Sequence, residues 1–419
     1  MSAPDLLKRF VESQAALEAA CAPLSVEDYV VQAFEDASPV KWHLAHVAWF
    51  FETFVLAGAA GYEPFDPRYR WLFNSYYEAV GDRHPRPDRG LLSRPTLEEV
   101  RRYRRHVGEA VVRLLEDARQ VTPALAFAVE LGANHAEQHH ELIATDVKAV
   151  LARNPLRPAY APRPARAPAA PARVEVGWVS HEGGLVEVGH AGESFAFDNE
   201  RPRHKAFLEP FQLANRLVTN GEWLEFMDAG GYRDPMLWLS DGWTVRQQRG
   251  WEAPLYWERA EGAGPWEVSS LHGSAPLDPL EPVCHVSFYE ADAYASWRGA
   301  RLPSEEEWEV VVARQGPAGQ ERWGVHPEPL AKEPAPGEVA QAFGAVWQWT
   351  RSPYVAYPGF RPFDGAFGEY NGKFMSNQLV LRGSSCATPP RHARASYRNF
   401  FRPDARWQFT GLRLARDAR

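Results

Sequence analysis

The sequence predicts an α-helical bundle followed by a loop-rich α+β domain. Three observations predict it. Residues 1 to about 152 carry long apolar-periodic runs whose ends are marked by proline. A stretch rich in Pro, Ala and Arg follows, NPLRPAYAPRPARAPAAPARVEVG, with the composition of a semi-rigid linker. After Val174 the texture changes to short apolar pieces set between Gly, Pro, Asn and Asp, with Trp scattered throughout. A chain of 419 residues exceeds one ordinary core. The expected organisation is a bundle over 1–153, a linker over 154–173 and a second domain over 174–419.

In the first domain, helices are expected over Asp5–Cys21, Val40–Leu56, Thr96–Asp117 and Thr122–Ala152. Pro23, Pro39, Pro95 and Pro123 punctuate them, because proline tolerates a helix start but not a helix interior. Four helices of this length suggest a four-helix bundle. In the second domain the good helical patterns are Asn220–Ala229, Tyr289–Arg298 and a shorter Ser304–Val312. The remainder reads as irregular, with little regular strand, and no internal repeat is present.

Composition bounds the function classes. Apolar residues make up 45% and aromatics 13%, so the chain can bury a core. Its 16 tryptophans suggest aromatic-lined pockets or a Trp-rich core. The net charge of -8 is spread without long like-charge runs, which does not point to nucleic acid. Cys21, Cys284 and Cys386 form no CxxC pair, so neither a disulfide framework nor a zinc ribbon is expected, and a reducing cytoplasm fits. The first residues lack a basic stretch followed by an apolar one, and no apolar run approaches the roughly 20 residues needed to span a bilayer.

One short stretch carries chemistry. NHAEQHHELIATD, Asn134 to Asp146, sits in a run free of Gly and Pro from His135 to Leu151 and reads as a helix. His135 and His139 are i and i+4 and share one face; His140 lies about 100° around the helix. An i,i+4 His pair is a recurring metal-binding device, although a polar helix face can carry the same pattern. A second helix, SPVKWHLAHVAWFFETFVL, offers His43 and His46. One histidine from it would complete a three-His face with open positions for oxygen or substrate. Spacing leaves open which of the two serves; core or capping histidines flanked by Trp42 and Trp49 are the alternative.

Several long motifs resemble a known family. SPVKWHLAHVAWFFETF, LFNSYYEAVGDRHPRPDRGLLSRP and HAEQHHELIATDVKAVLARNPLRPAY are similar to the iron-dependent sulfoxide synthases of ergothioneine biosynthesis. In the second half, GGLVEVGH, PVCHVSFYEADAYASWRGARLPSEEEWE, GAVWQWT, LVLRGSSCATP and YRNFFRPDARWQFTGLRLA resemble that family's formylglycine-generating-enzyme-like domain. The resemblance covers nearly the whole chain. It implies a DinB-like four-helix bundle, then a modified C-type-lectin-like domain, with the active site between them. It implies non-haem Fe(II) held by His46, His135 and His139, with His43 outside the ligand set. It also implies an O2-dependent reaction in which a thiol sulfur is joined to C2 of the imidazole of hercynine, the trimethylated form of histidine, and leaves as a sulfoxide.

The same resemblance distributes roles. Tyr77, with Tyr76 beside it, stands where a phenol donates a proton. Gln138 is expected to bond the imidazole, Asn399 the carboxylate or ammonium region, and Phe400 to face the trimethylammonium, which cannot donate hydrogen bonds. Arg86 is expected to pair the carboxylate of the thiol donor. Phe401 stands where γ-glutamylcysteine-using members carry an acidic residue, so free cysteine is the expected donor. The chain departs from the commoner pattern at Ala136, His140, Gln348 and the GSSC of Gly383–Cys386. Cys386 lacks the partner of a copper-binding pair and reads as structural. The competing readings are a synthase using a selenosugar or γ-glutamylcysteine, one acting at another imidazole carbon of histidine, and a non-catalytic binding module.

Overall fold

The computed structural model describes residues 2–164, 174–259, 264–315 and 324–418; residues 165–173 of the expected linker lie outside the described residues. The chain forms two compact units. The first comprises Met1–Ala161 together with Asp364–Tyr370, and the second comprises Pro162–Phe363 and Asn371–Arg419. The second visit of the chain to the first unit has no counterpart in the sequence expectation.

Four long helices build the first unit: α1 (Ala3–Cys21), α2 (Val40–Phe51), α3 (Leu97–Glu116) and α4 (Pro123–Arg153). Their starts are locally encoded. Ser2 and Thr96 form capping boxes with Asp5 and Glu99, and Thr122 caps α4 with Pro123 in its first turn. The expected helix Val40–Leu56 is α-helical only to Phe51 and ends in a π-helical turn, Glu52–Leu56. That turn opens on Glu52, a buried carboxylate that accepts bonds from the hydroxyls of Tyr62 (2.6 Å) and Tyr103 (2.7 Å) and the Phe65 N–H (3.2 Å). Gly132 lies in mid-helix because a Cβ there would fall 2.7 Å from the Phe51 ring, so it permits the close approach of α4 to α2.

The second unit is a loop-rich α+β assembly. Its described strands are two to seven residues long and lie in four small sheets. A four-stranded sheet runs in the order β3 (Asn399–Phe401), β2 (Leu379–Gly383), β1 (Trp347–Pro353), β4 (Thr410–Gly411), numbered along the chain. Helices α5 (Asn220–Asp228), α7 (Phe288–Trp297) and α8 (Glu305–Val312) match the expected ones. Helix α6 (Ser240–Arg249) was not expected, because its sequence is polar and carries Gly242 in its first turn. A Cβ at Gly242 would fall 2.7 Å from the Tyr289 ring, so the glycine serves packing against α7. Trp308, Val311 and Val312 of α8 pack with Phe211 and Leu213 in the core.

Two ends of one excursion are held by a single residue of the second unit. The Phe363 N–H donates to Asp198 Oδ2 at 3.3 Å, and Asn371 Nδ2 donates to Asp198 Oδ1 at 2.8 Å. Between them the chain leaves to form Asp364–Tyr370 of the first unit. No helix among the described residues is long and apolar enough to cross a membrane.

Candidate metal centre and its surroundings

Helix α2 supplies His46, and α4 supplies His135 and His139 one turn apart. All three are buried, and the ring nitrogens available as ligands lie within 4.8 Å of one another. Among the described residues this is the one group of three or more His, Cys, Asp or Glu side chains so arranged. His46 is held by its own helix: Trp42 stacks on it at 4.7 Å between ring centroids and Trp49 at 5.3 Å. Those residues are four before and three after it, hence on the same face. Phe50 stacks on His135 at 4.5 Å.

The electrostatics favour neutral imidazoles. Burial pushes the His135 imidazolium pKa down to about 3. Burial, then mutual repulsion among the rings, holds His46 and His139 well below the usual histidine range. His46 donates its Nδ1–H to the Phe73 carbonyl at 2.6 Å, which leaves a lone pair on Nε2. That nitrogen faces His135 Nε2 at 3.2 Å. Three neutral nitrogen donors converging without a carboxylate or thiolate suit a divalent transition ion, and they leave its charge and remaining positions open to anionic ligands. The residues therefore fit the Fe(II) that the resemblance implies.

His43 and His140 are both buried outside this group. His43 is nevertheless tied to it, with Nδ1 2.8 Å from His139 Nδ1 and Nε2 2.9 Å from Asp146 Oδ2.

Tyr76 and Tyr77 sit on a loop shaped by Asn74, whose side chain donates to the Tyr77 and Gly81 carbonyls and accepts the Tyr77 N–H. The two phenol rings stack at 4.6 Å. Tyr77 is fully buried against Trp49 and Phe54, with the Tyr76 phenol as its nearest polar neighbour. Burial, with the neighbouring Tyr76 and Tyr370 phenols, pushes its pKa well above the ordinary value, so the O–H stays protonated.

The excursion Asp364–Tyr370 docks on the same loop. Glu369 accepts the backbone N–H of Glu78 at 3.0 Å and of Ala79 at 2.8 Å. Phe367 packs on Phe54 at 4.7 Å. Tyr370 then lies 5.9 Å from His135 and 6.4 Å from Tyr76, ring to ring, and donates its O–H to Gln138 Oε1. Sequence reasoning named Gln138 but missed Tyr370. The GEYNGKF stretch has no periodicity to flag it, and its partner lies 232 residues away.

Arg86 opens a 3-10 helix, Arg86–Leu91, and is exposed. Three residues on, Arg89 is buried, with its guanidinium 3.3 Å from the Trp42 ring centroid. Its Nη1 donates to Ser38 Oγ at 2.9 Å, whereas Nε and Nη2 have no partner among the described residues. Burial and the nearby Arg86 charge hold its pKa well below the usual arginine range, with the Asp146 carboxylate acting in the opposite direction. Sequence reasoning named Arg86 and missed Arg89, because the two are i and i+3 on one short 3-10 helix and nothing local separates them.

In the second unit, Asn399 and Phe400 lie on β3, paired with Leu381 and Val380 of β2. Phe400 stacks on Tyr354 at 4.0 Å, and its N–H donates to Asn399 Oδ1. The strand is anchored by the preceding residue, Arg398, which forks onto Glu305 with two bonds of 2.8 Å inside the core. The departures from the family pattern are accommodated here. Gln348 accepts from Trp308 Nε1 and Arg413 Nε and donates to the Ala342 carbonyl; Ser384 Oγ accepts the Gly344 N–H. All three cysteines are buried, and none is in a disulfide.

Comparison with known proteins agrees with both halves. Residues 9–143 match the DinB superfamily, and residues 164–335 and 324–418 match the Sulfatase-modifying factor enzyme 1-like domain. The chain is 33% identical over 409 residues to a hercynine oxygenase of Mycolicibacterium thermoresistibile, covering 91% of this chain and 87% of that one. It is 34% identical to the hercynine oxygenase of Mycobacterium tuberculosis, covering 91% of each. Ergothioneine biosynthesis protein 1 of Schizosaccharomyces pombe is 28% identical over 240 residues, 53% of this chain and 28% of that one.

Proposed function

Because the chain belongs to the hercynine oxygenase family of oxidoreductases, we propose that it is a non-haem Fe(II), O2-dependent sulfoxide synthase joining cysteine to C2 of the hercynine imidazole. The observation that carries the reading is the buried cluster of three neutral imidazoles, His46, His135 and His139. The overall change balances as thiol plus imidazole C–H plus O2, giving sulfoxide plus water. One oxygen atom enters the product and the other leaves with both hydrogens. Fe(II), bound by the three histidines, would supply thiolate binding and O2 activation.

The chain's own residues do the rest. The Arg89 guanidinium binds the cysteine carboxylate, and Arg86, on the same side of the 3-10 helix, guides it from the exposed end. Gln138 holds the hercynine imidazole, its amide oriented by the Tyr370 hydroxyl. Tyr77 supplies a proton from a buried O–H held protonated by its surroundings, with Tyr76 adjacent. Asn399 and Phe400 provide the polar contact and aromatic face for the carboxylate and trimethylammonium ends. Buried cysteines outside any disulfide suit a reducing cytoplasm.

The test is product identification. The chain, loaded with Fe(II), is incubated with hercynine, O2 and cysteine, γ-glutamylcysteine or a selenosugar in separate arms, and products are read by mass spectrometry. Hercynylcysteine sulfoxide from the cysteine arm is expected. Turnover only with another donor would reassign the substrate, and no turnover with any donor in an iron-loaded sample would remove the catalytic reading.

A further inference from the structure

We infer that His43 and Asp146 are a positioning pair for His139, a second layer that sets which of its nitrogens faces the metal. The inference rests on the reading of the triad as a metal site. Asp146 Oδ2 accepts the Ser38 N–H at 2.8 Å and lies 2.9 Å from His43 Nε2. A carboxylate only accepts, so His43 donates through Nε2, and its Nδ1 is left as a bare acceptor. His139 Nδ1, 2.8 Å away, must then carry the proton. That assigns the lone pair of His139 to Nε2.

His46 reaches the same state by a different device, its Nδ1–H on the Phe73 carbonyl. His135 Nδ1 has no hydrogen-bond partner among the described residues. Two of the three rings are thus pinned in one tautomer, and His139 alone is pinned by a chain ending in a carboxylate. All of the groups in that chain are buried. Asp146 accepts from a histidine and a backbone amide and also faces the buried Arg89 charge, so the carboxylate that ends the His43–His139 chain is held in place independently of the metal. A ligand imidazole whose second nitrogen donates into such a chain is more basic and better oriented. His140, adjacent in sequence and also buried, has no place in the chain and serves as the comparison.

The experiment measures Fe(II) affinity of the full chain by anaerobic chelator competition, and the d–d absorption of the Co(II)-substituted protein. Wild type, His43→Phe, Asp146→Asn and His140→Phe are compared, with metal-free thermal melting as the folding control. His43→Phe and Asp146→Asn are expected to weaken Fe(II) binding about 10–100-fold and to change the Co(II) spectrum. His140→Phe should leave both unchanged. Wild-type affinity and spectrum in both first variants would overturn the inference, as would an equal loss in His140→Phe, which would mark a general disturbance of α4. If His43→Phe does not fold, Asp146→Asn, which keeps the side-chain shape, carries the test alone. A wild-type chain that takes up neither ion would instead bring down the reading of the triad itself.

Discussion

At the scale of single residues, the site divides into groups whose hydrogen bonds are spent and groups whose bonds are not. Arg89 is the second kind: it is buried, and its Nε and Nη2 have no partner among the described residues. Tyr77→Phe removes only the O–H and keeps the ring in its stack. It should retain fold and metal while shifting products from sulfoxide toward oxidised thiol, since a single proton-transfer group is worth about 10²–10⁴ in rate. The same measurement on Tyr370→Phe separates the two phenols. Loss of the Gln138 bond alone should raise KM for hercynine, whereas a product shift in Tyr370→Phe and not in Tyr77→Phe would move the proton donor to Tyr370. For the arginines, Arg89→Gln leaves a substrate carboxylate unpaired inside the protein, at about 1.5–3 kcal/mol. KM for cysteine should rise about tenfold or more, with KM for hercynine nearly unchanged. Arg86→Gln, exposed and screened, should change it by no more than a factor of about five. Equal rises in both KM values would mean that Arg89 acts through packing on Trp42.

At the scale of elements, the returning segment Asp364–Tyr370 is the piece most open to perturbation. It is short, has no strand or α-helix of its own, and is fastened to the Tyr76–Tyr77 loop by one carboxylate on two backbone amides. Glu369→Ala should speed hydrogen exchange at Glu78 and Ala79 about fivefold, the equivalent of about 1 kcal/mol for a modest hydrogen-bond loss. Fe(II) affinity should stay at the wild-type value, because the triad lies on α2 and α4. Unchanged exchange at both amides would mean that the Phe367–Phe54 packing and the Tyr370–Gln138 bond hold the segment without Glu369. The helices were legible for the opposite reason: periodicity and caps act within one or two turns, and Ser2, Thr96 and Thr122 stand at the predicted starts to within three residues.

At the scale of the whole molecule, the buried histidines tie stability to pH. In an unfolded chain, histidine takes up a proton near pH 6.5. In the folded chain burial delays this to about 3 for His135 and about 4 for His140. Between those limits the unfolded state binds more protons, so stability increases with pH across the window and levels off above about 6.5. Each such histidine contributes about 1.4 kcal/mol per pH unit inside it. Metal-free protein should therefore melt at a lower temperature at pH 5 than at pH 7, and His140→Phe should show a shallower slope. A flat melting profile between pH 5 and 7 would show that these rings are accessible to protons in the folded state. With metal bound the dependence should steepen, because protons and metal compete for the same lone pairs.

By itself the sequence determined the helices of the bundle, the change of texture after Val174 and the shared face of His135 and His139, because each depends on neighbours within a few residues. The long motifs added the family and with it the choice of His46. Tertiary structure decided what depends on distant partners. His43 and His46 are both near α4, but the fold turns His46 toward His135 and gives His43 to His139 and Asp146. Gly132 lets the two helices come that close. Arg86 and Arg89 are alike as sequence, and only packing buries one and exposes the other. Tyr370 reaches Gln138 across 232 residues, a pairing that no local periodicity encodes, because its free energy exists only once the segment has returned to the bundle.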